Sequence, residues 1–311
     1  AEDVKGANRV VSQSVLIAFG CGLLSSFLLV TFAEPAMVLM GATGESLTQG
    51  VLYLRIICIV FPVSSMIFVG GACLRGAGDT RTPLLVMAVV NVFNIIVAWV
   101  LVEGIGPFPA LGVEGAAYGS AISRFLGGLI IFALLLKGRS GLRLRWRGLD
   151  RETMWRILRV GLPASLDQLI FRAGSLVWIR IVASLGTVAF AAHQIVLNGE
   201  SISFMPGWGF AVAATTLVGQ GLGARDPLRA EKDALLAFYI SAVFMSLMGV
   251  VFFLFPAQIV GLFTDDANVI AMGTLPLRLI GLVQPFLAAM MVFSGSLRGA
   301  GDTLTPMLVN G

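Results

Sequence analysis

The sequence predicts an all-α membrane protein, a bundle of helices that crosses the bilayer several times. Three observations predict this class: 57% of the 311 residues are hydrophobic, only 12% are charged, and the apolar residues fall in long runs. Soluble domains carry about a quarter charged residues. Lipid accepts the excess apolar surface that a soluble fold of this size could not bury.

A helix that spans a bilayer needs about 20 mostly apolar residues. We predict eight such spans, at residues 13–33, 50–72, 84–103, 114–136, 160–183, 188–218, 233–255 and 270–294. A ninth span begins after Pro306. The span 188–218 contains Pro206, Gly207 and Gly209, which predict a kink or a break there.

Basic residues are concentrated in alternate loops. Counted from the N-terminus, the odd loops hold sixteen of the 21 lysines and arginines, eight of them between 137 and 159, and the even loops hold none. The other five lie inside predicted spans: Arg55, Arg124, Arg172, Arg180 and Arg278. The positive-inside rule then places Ala1 and the segment 137–159 in the cytoplasm. This pattern accounts for the basic pI of 9.3 without a nucleic-acid partner.

The sequence contains an internal repeat. Residues 74–83 read LRGAGDTRTP and residues 297–306 read LRGAGDTLTP, an offset of 223. The same offset pairs Arg55 with Arg278, Pro62 with Pro285 and Asp3 with Asp226. Both copies begin on the predicted cytoplasmic side, as in transporters built from parallel repeats with the substrate site between the halves. We therefore predict an N-lobe at 1–136, a basic cytoplasmic linker at 137–159 and a C-lobe at 160–311.

The repeat also predicts that the chain is a fragment. Two spans precede Asp226 in the second copy, and their partners in the first copy would lie upstream of Ala1. We expect a parent with twelve spans, of which about eight and a half are present here.

The repeated turn is predicted to be structural. Gly76 and Gly78 would end one helix, Asp79 or Thr80 would cap the next, and Pro83 suits its first turn. A phosphate-binding loop would need a Gly-Lys-Ser/Thr sequence, and neither copy has the lysine.

Several motifs together resemble the multidrug and toxic compound extrusion (MATE) family, especially its bacterial NorM-like and damage-inducible-type members. They are the doubled turn, Gly161-Leu162-Pro163, Ala191-Ala192-His193-Gln194, Ser203-Phe204-Met205-Pro206-Gly207 and Val218-Gly219-Gln220-Gly221-Leu222-Gly223-Ala224. The resemblance implies two six-helix lobes in the inner membrane. It also implies export of organic, often cationic, compounds in exchange for protons or sodium.

The resemblance implies two further points about coupling. The family's coupling aspartate on the first N-lobe helix would lie upstream of Ala1. The carboxylate that some sodium-coupled members use on the tenth helix has no counterpart in 270–294. We expect a monomer with no cofactor other than the coupling ion.

Two acidic residues lie within predicted spans, Asp167 and Glu200. A carboxylate inside a membrane costs roughly 2.5–3.5 kcal/mol on insertion scales and is a functional candidate. Helical rise places Arg172 at the depth of Glu200 on the neighbouring helix. Two interpretations stay open: a protonatable cluster facing a central cavity, or a static Arg172–Glu200 ion pair that orients two helices.

Uncharged polar residues extend this candidate site. Gln194, Asn198 and Ser201 form a stripe on the helix of Glu200, and the stripe would line a cavity or bond a neighbouring helix. Asn91 and Asn94 share a face of the third span, and the resemblance implies that they line the N-lobe. His193 is interpreted as a structural residue, although histidine is also the usual pH switch.

The leading functional prediction is an ion-driven exporter of organic cations. An alternative is a flippase for lipid-linked saccharides, whose anionic groups Arg124, Arg172 and Arg180 would suit. An enzyme is not expected, because HExxH, GxSxG and paired histidines do not occur.

Overall fold

The computed structural model describes residues 4–107, 109–144 and 148–310, and the chain divides into two compact units, 1–157 and 158–311. Across the described residues the regular secondary structure is helical. In the first unit the α-helices are α1 (Val4–Thr31), α2 (Ala33–Leu39), α3 (Gly44–Ile59), α4 (Phe61–Gly76), α5 (Arg81–Glu103) and α6 (Val113–Lys137). A short 3₁₀ helix follows at Arg139–Gly141.

The helix α7 (Arg151–Ser184) begins in the first unit and continues into the second. The second unit then contains α8 (Thr187–Gly223), α9 (Pro227–Leu254), α10 (Pro256–Gly261), α11 (Ala267–Gly299) and α12 (Leu304–Asn310). In this unit α11 packs along both α8 and α9, while in the first unit α5 packs on α6 and α4 lies against α1 and α6.

Six of the described helices are long and apolar enough to cross a membrane: α1, α5, α6, α8, α9 and α11. The pair α3 and α4 forms a seventh span if it is counted as one helix bent by 55°. The prediction of an all-α protein with several spans is therefore confirmed. The predicted span 160–183 is helical but belongs to α7, whose Asp167, Arg172 and Arg180 make it less apolar than the others.

Of the kink or break predicted near Pro206, the break is not present, because α8 is one helix from Thr187 to Gly223. The break lies instead at Val60, between α3 and α4. Its repeat partner is inside α11, which continues through Pro285. A proline removes one backbone hydrogen bond, and the neighbouring helices then determine whether the helix is interrupted.

The helix boundaries of the two copies agree at the offset of 223 residues. Helix α1 corresponds to α9: its end at Thr31 matches Leu254, and its first described residue, Val4, matches Pro227. The starts of α2 and α10, of α3 and α11, and of α5 and α12 are displaced by the same number. The ends of α4 and α11, at Gly76 and Gly299, follow the same rule. The two copies of the sequence repeat therefore form helices with matching boundaries.

The repeated turn has the predicted structural role. Gly78 and Gly301 adopt φ values of +93° and +86°, a left-handed conformation that glycine enters without a steric penalty. The next residue, Asp79 or Asp302, accepts hydrogen bonds from the backbone N–H and the hydroxyl of the threonine three residues later. Each aspartate thus caps the following helix through its side chain.

Arg143 and Gly148 of the predicted linker 137–159 contact α1 of the first unit. The linker's last residues belong to α7, which begins at Arg151. Its middle part contacts α1, where Asn8 accepts from the backbone N–H of Arg143 (2.6 Å) and Gln13 donates to the carbonyl of Gly148 (2.9 Å). Asp3, Arg145 and Arg147, which the sequence predictions include, lie outside the described residues.

The buried apolar residues form a separate core in each unit. In the first unit the largest cluster joins α1, α4, α5 and α6 through residues such as Val11, Met66 and Ile131. In the second unit three clusters follow α8, α9 and α11 and include Leu277, Met245 and Val292. Most other large apolar side chains are exposed, as expected where lipid is the solvent.

Candidate functional site

The two predicted carboxylates lie in the second unit, and Asp167 is the more deeply buried. Asp167 is 4% exposed on α7. Its Oδ2 accepts a hydrogen bond from Nη2 of Arg298 at 2.5 Å, so the two side chains form an ion pair. Arg298 stands in the last turn of α11, and its side chain is 23% exposed. A buried charge that is paired and hydrogen-bonded avoids most of the cost of desolvation.

The Arg172–Glu200 ion pair, one of the two interpretations left open, is not formed among the described residues. Arg172 is exposed, Glu200 is half-buried, and no ion pair joins them in the part of the chain that the structure describes. The position of Arg172 along the sequence predicts its depth in the membrane, but not the direction in which its side chain leaves the helix. Asp167 and Arg172 are five residues apart, which is roughly 140° of rotation at 3.6 residues per turn. Because Asp167 faces α11, Arg172 faces away from it.

The remaining predicted residues of this unit lie along α8. Gln194 is half-buried and Asn198 is exposed, and the backbone carbonyl of Asn198 accepts from the hydroxyl of Ser201 at 2.6 Å. The ring of His193 is edge-on to Trp178 of α7, with centroids 6.4 Å apart. Its Nε2 is buried and has no hydrogen-bond partner among the described residues. In the stripe next to Glu200, Gln194 and Ser201 are thus half-buried and Asn198 between them is exposed.

Asn91 and Asn94 belong to the first unit, on α5. Asn91 is exposed, while the amide of Asn94 donates to the hydroxyl of Ser120 on α6 at 3.3 Å. The structure therefore gives Asn94 a role in joining two helices, and Asn91 presents its amide at the surface of α5.

A second polar contact in the second unit joins α8 to α11. The hydroxyl of Ser203 donates to Oε1 of Gln284 at 2.8 Å, and both residues are fully buried. The Nε2 of Gln284 has no hydrogen-bond partner among the described residues. Ser203 lies three residues after Glu200, so the two side chains share a face of α8. The polar residues on this face of α8 therefore continue from the half-buried Glu200 to the buried contact inside the unit.

The backbones of α9 and α11 meet next to this contact. A Cβ atom on Gly249 would lie 2.4 Å from the carbonyl oxygen of Gly281, and one on Gly281 would lie 2.6 Å from that of Gly249. Small residues of this kind let membrane helices approach closely. The close approach fixes α11, which carries both Gln284 and Arg298, against α9.

The sequence analysis did not single out Arg298 and Gln284, which form the two buried polar contacts described above. Arg298 was assigned to a cytoplasmic loop, yet it lies inside α11 and its guanidinium turns to a carboxylate. Gln284 is polar within an apolar span and next to Pro285, a signal that a search for amides as well as carboxylates would have detected. No sequence signal gives the partner of either residue.

These features define a multi-pass membrane protein built from a repeated set of helices, with buried polar contacts inside the second unit. The MatE family model matches residues 1–100 and 163–311. The chain therefore belongs to the MATE family of transporters.

Individual relatives agree with this assignment. A probable multidrug resistance protein NorM of Thermotoga maritima is 35% identical over 310 residues, covering 98% of this chain and 66% of the relative. An FAD transporter of Shewanella oneidensis is 26% identical, covering 93% of this chain and 66% of that protein. The chain thus spans about two thirds of the length of the curated relatives that it matches.

The fold also matches solved transporter structures. A MOP superfamily transporter from Pyrococcus furiosus superposes with a TM-score of 0.91 at 24% identity, covering 99% of this chain and 69% of that one. At this identity the likeness concerns the fold alone.

Proposed function

We propose that the chain forms part of an ion-coupled antiporter that exports organic cations from the cytoplasm across the inner membrane. The observation that carries the proposal is the ion pair between the buried Asp167 and Arg298. Buried ionisable residues of membrane helices mark ion and substrate paths by default. The relatives named as multidrug resistance proteins support export as the direction of transport.

The ion pair provides a way to couple an ion to helix movement. When a proton binds the carboxylate of Asp167, the negative charge is lost and Arg298 no longer has its counter-ion. A sodium ion at the carboxylate would compete with the guanidinium in the same way. Either event weakens the contact between α7 and α11. The ion then shifts the equilibrium between the paired and the unpaired state by the difference in its affinity for these two states. Asp167 thus links ion occupancy to the position of α7.

In this proposal α7 is the helix that moves when the ion pair opens. Between Leu158 and Ser184 most large apolar residues are exposed, including Leu169, Leu176 and Trp178. Besides the ion pair, the ring contact of Trp178 with His193 connects α7 to its own unit. Pro163, inside α7, has no backbone N–H, so one hydrogen bond within the first turns of the span is missing.

We assign substrate contact to the polar stripe of α8. Glu200 supplies a negative charge for an organic cation, and Gln194 and Asn198 supply amide groups on the same helix. In the first unit we assign Asn91 and Asn94 to the same task. Arg172 is exposed, and we place it at the surface that an anionic group would approach. Ala1 and the segment 137–159 lie in the cytoplasm in this proposal, because the basic loops alternate with acidic ones.

Transport in proteoliposomes tests the proposal. The protein is reconstituted, proton and sodium gradients are imposed separately, and movement of a fluorescent organic cation is followed. We expect one of the two gradients to drive transport, and replacing Asp167 with Asn to abolish the dependence on it. The variant Ser175→Ala is a matched control, because Ser175 is a half-buried residue of α7 whose hydroxyl bonds its own helix. Absence of a response to both gradients would exclude antiport.

A second candidate is transport of an anionic compound, of which the lipid-linked saccharides are one class. The supporting observation is that Arg172, Arg180 and Arg278, all inside helices of the second unit, are exposed. One relative is named as an FAD transporter, and FAD carries a pyrophosphate. The same proteoliposomes distinguish the two candidates when a fluorescent flavin dinucleotide or a lipid-linked saccharide replaces the organic cation. Transport of the anion with no movement of the cation favours this second candidate.

A further inference from the structure

A polar cavity of about 480 Å³ lies in the first unit, between the first turns of α1 and residues 148–152. Three cationic side chains line it, Lys5, Arg9 and Arg151, together with the carboxylates of Asp150 and Glu152. The candidate membrane-spanning helix runs from Lys5 to Thr31, so the cavity lies at one end of a membrane helix. This is the level at which lipid headgroups meet a membrane protein.

One of the two carboxylates is already engaged. Asp150 pairs with Arg9 at 3.2 Å and accepts a hydrogen bond from the hydroxyl of Thr153 at 2.8 Å. The hydrogen bonds from Thr153, and to a smaller degree the charge of Arg9, lower the pKa of Asp150, so it stays ionised. Neither Lys5 nor Arg151 forms an ion pair with another described residue. With Arg9 and Asp150 paired, Lys5 and Arg151 outweigh Glu152 by one positive charge, which is available for an anion.

A buried acceptor in the wall of the cavity requires a donor. Gln13 is 5% exposed, and its Nε2 donates to the carbonyl of Gly148, which fixes the orientation of the amide because a carbonyl only accepts. Its Oε1 is buried and has no hydrogen-bond partner among the described residues. Leaving such an atom unpaired costs free energy, and a hydroxyl group that enters from the cavity as its wall moves aside would satisfy it.

The polar cavity continues into an apolar groove. A second cavity of about 320 Å³ shares Ser12 with the first and follows one face of α1 through Val15 and Phe19. Its other side is formed by apolar residues of α4 and α6, among them Val63, Met66 and Leu129. Its lining presents no polar surface to the groove. A ligand that occupied both cavities would need a charged, hydroxylated end and a hydrocarbon end.

We propose that this composite cavity binds one anionic glycerophospholipid whose headgroup carries free hydroxyls, the phosphatidylglycerol class. The phosphate lies between Lys5 and Arg151, a headgroup hydroxyl donates to Oε1 of Gln13, and an acyl chain occupies the groove from Ser12 to Phe19. Basic pockets at the cytoplasmic side of helix bundles recognise anionic headgroups in this way. The site is independent of the proposed antiport, because Asp167 and Arg298 belong to the other unit.

Native mass spectrometry of the detergent-purified protein tests the proposal. The probes are phosphatidylglycerol, phosphatidylcholine, phosphatidylmethanol and inorganic phosphate, at equal concentrations. We expect one phosphatidylglycerol to be retained, with an affinity at least about tenfold above that for phosphatidylcholine. The variants Lys5→Gln and Arg151→Gln should each lower retention about fivefold, the loss expected for one basic residue near an anionic headgroup.

Two further variants make the test specific. Gln13→Leu should remove the preference for phosphatidylglycerol over phosphatidylmethanol, which has the phosphate but no hydroxyl. Arg156→Gln is the matched control, an exposed arginine of α7 outside the cavity lining, and should retain the lipid as the parent does. Equal retention of phosphatidylcholine, or the same loss in Arg156→Gln, would overturn the proposal. Displacement of the lipid by inorganic phosphate at similar concentration would overturn it in favour of a free-phosphate site.

Discussion

The guanidinium of Arg298 donates to the carboxylate of Asp167, which lies 131 residues earlier in the chain. Arg298 belongs to the repeated turn at the end of α11, and Asp167 to the sparsely buried helix α7. The contact therefore connects the repeated turn to α7, a helix with few buried side chains.

The ion pair should contribute to the stability of the second unit. Replacing Asp167 with Asn leaves Arg298 without a counter-ion, and breaking a buried pair costs about 3–5 kcal/mol. Because the side chain of Arg298 is 23% exposed, we expect a value below that range, about 2 kcal/mol. The double variant Asp167→Asn/Arg298→Gln should lose less than the sum of the single losses. Unfolding in mixed detergent micelles measures the coupling, and strict additivity would mean that the pair contributes nothing.

The close approach of α9 and α11 should not tolerate a side chain. In Gly281→Ala the new Cβ would lie 2.6 Å from the carbonyl oxygen of Gly249, so the helices must separate. Overpacking of this kind costs about 1–3 kcal/mol. The control is Gly209→Ala in α8, where a Cβ meets no atom within 4 Å and alanine is the better helix former. A thermal unfolding assay should separate the two variants, and equal melting temperatures would contradict the packing described.

The cap of α7 should respond to acid. Hydrogen bonds from Thr153 lower the pKa of Asp150 below its usual range, so the cap stabilises the helix above the unfolded pKa of the carboxyl group. That stability is lost as the pH falls through the folded pKa. In Thr153→Val the folded pKa rises towards the ordinary value, and protection of residues 151–157 should disappear at a higher pH. Hydrogen exchange between pH 5 and pH 2 measures this, and identical profiles would exclude the cap as the cause.

The parts of the fold that depend on periodicity and composition were predictable. The repeat predicted that corresponding helices are displaced by a constant number of residues, as α1 and α9 and the ends of α4 and α11 are. The residues of the repeated turn predicted the conformation of Gly78 and a cap at Asp79 or Thr80, of which Asp79 forms the cap, because both features depend on local chemistry.

The parts that depend on neighbouring helices were not predictable. Pro206 lies in an uninterrupted α8, whereas the break falls at Val60, and only packing distinguishes the two. The rotation of α7 turns Asp167 inward and Arg172 outward, while the sequence specifies only their depth. The partner of Asp167 lies at a distant helix end, which periodicity does not link to it.

The measurement that tests the central claim most directly is ion-driven transport by Asp167→Asn beside Arg298→Lys in proteoliposomes. Lysine keeps the positive charge of Arg298 but not its planar donor geometry. We predict that Asp167→Asn moves the organic cation only down its own gradient, with no response to protons or sodium. Arg298→Lys should retain a reduced response. Gradient-driven transport by correctly folded Asp167→Asn at the rate of the parent protein would contradict the account.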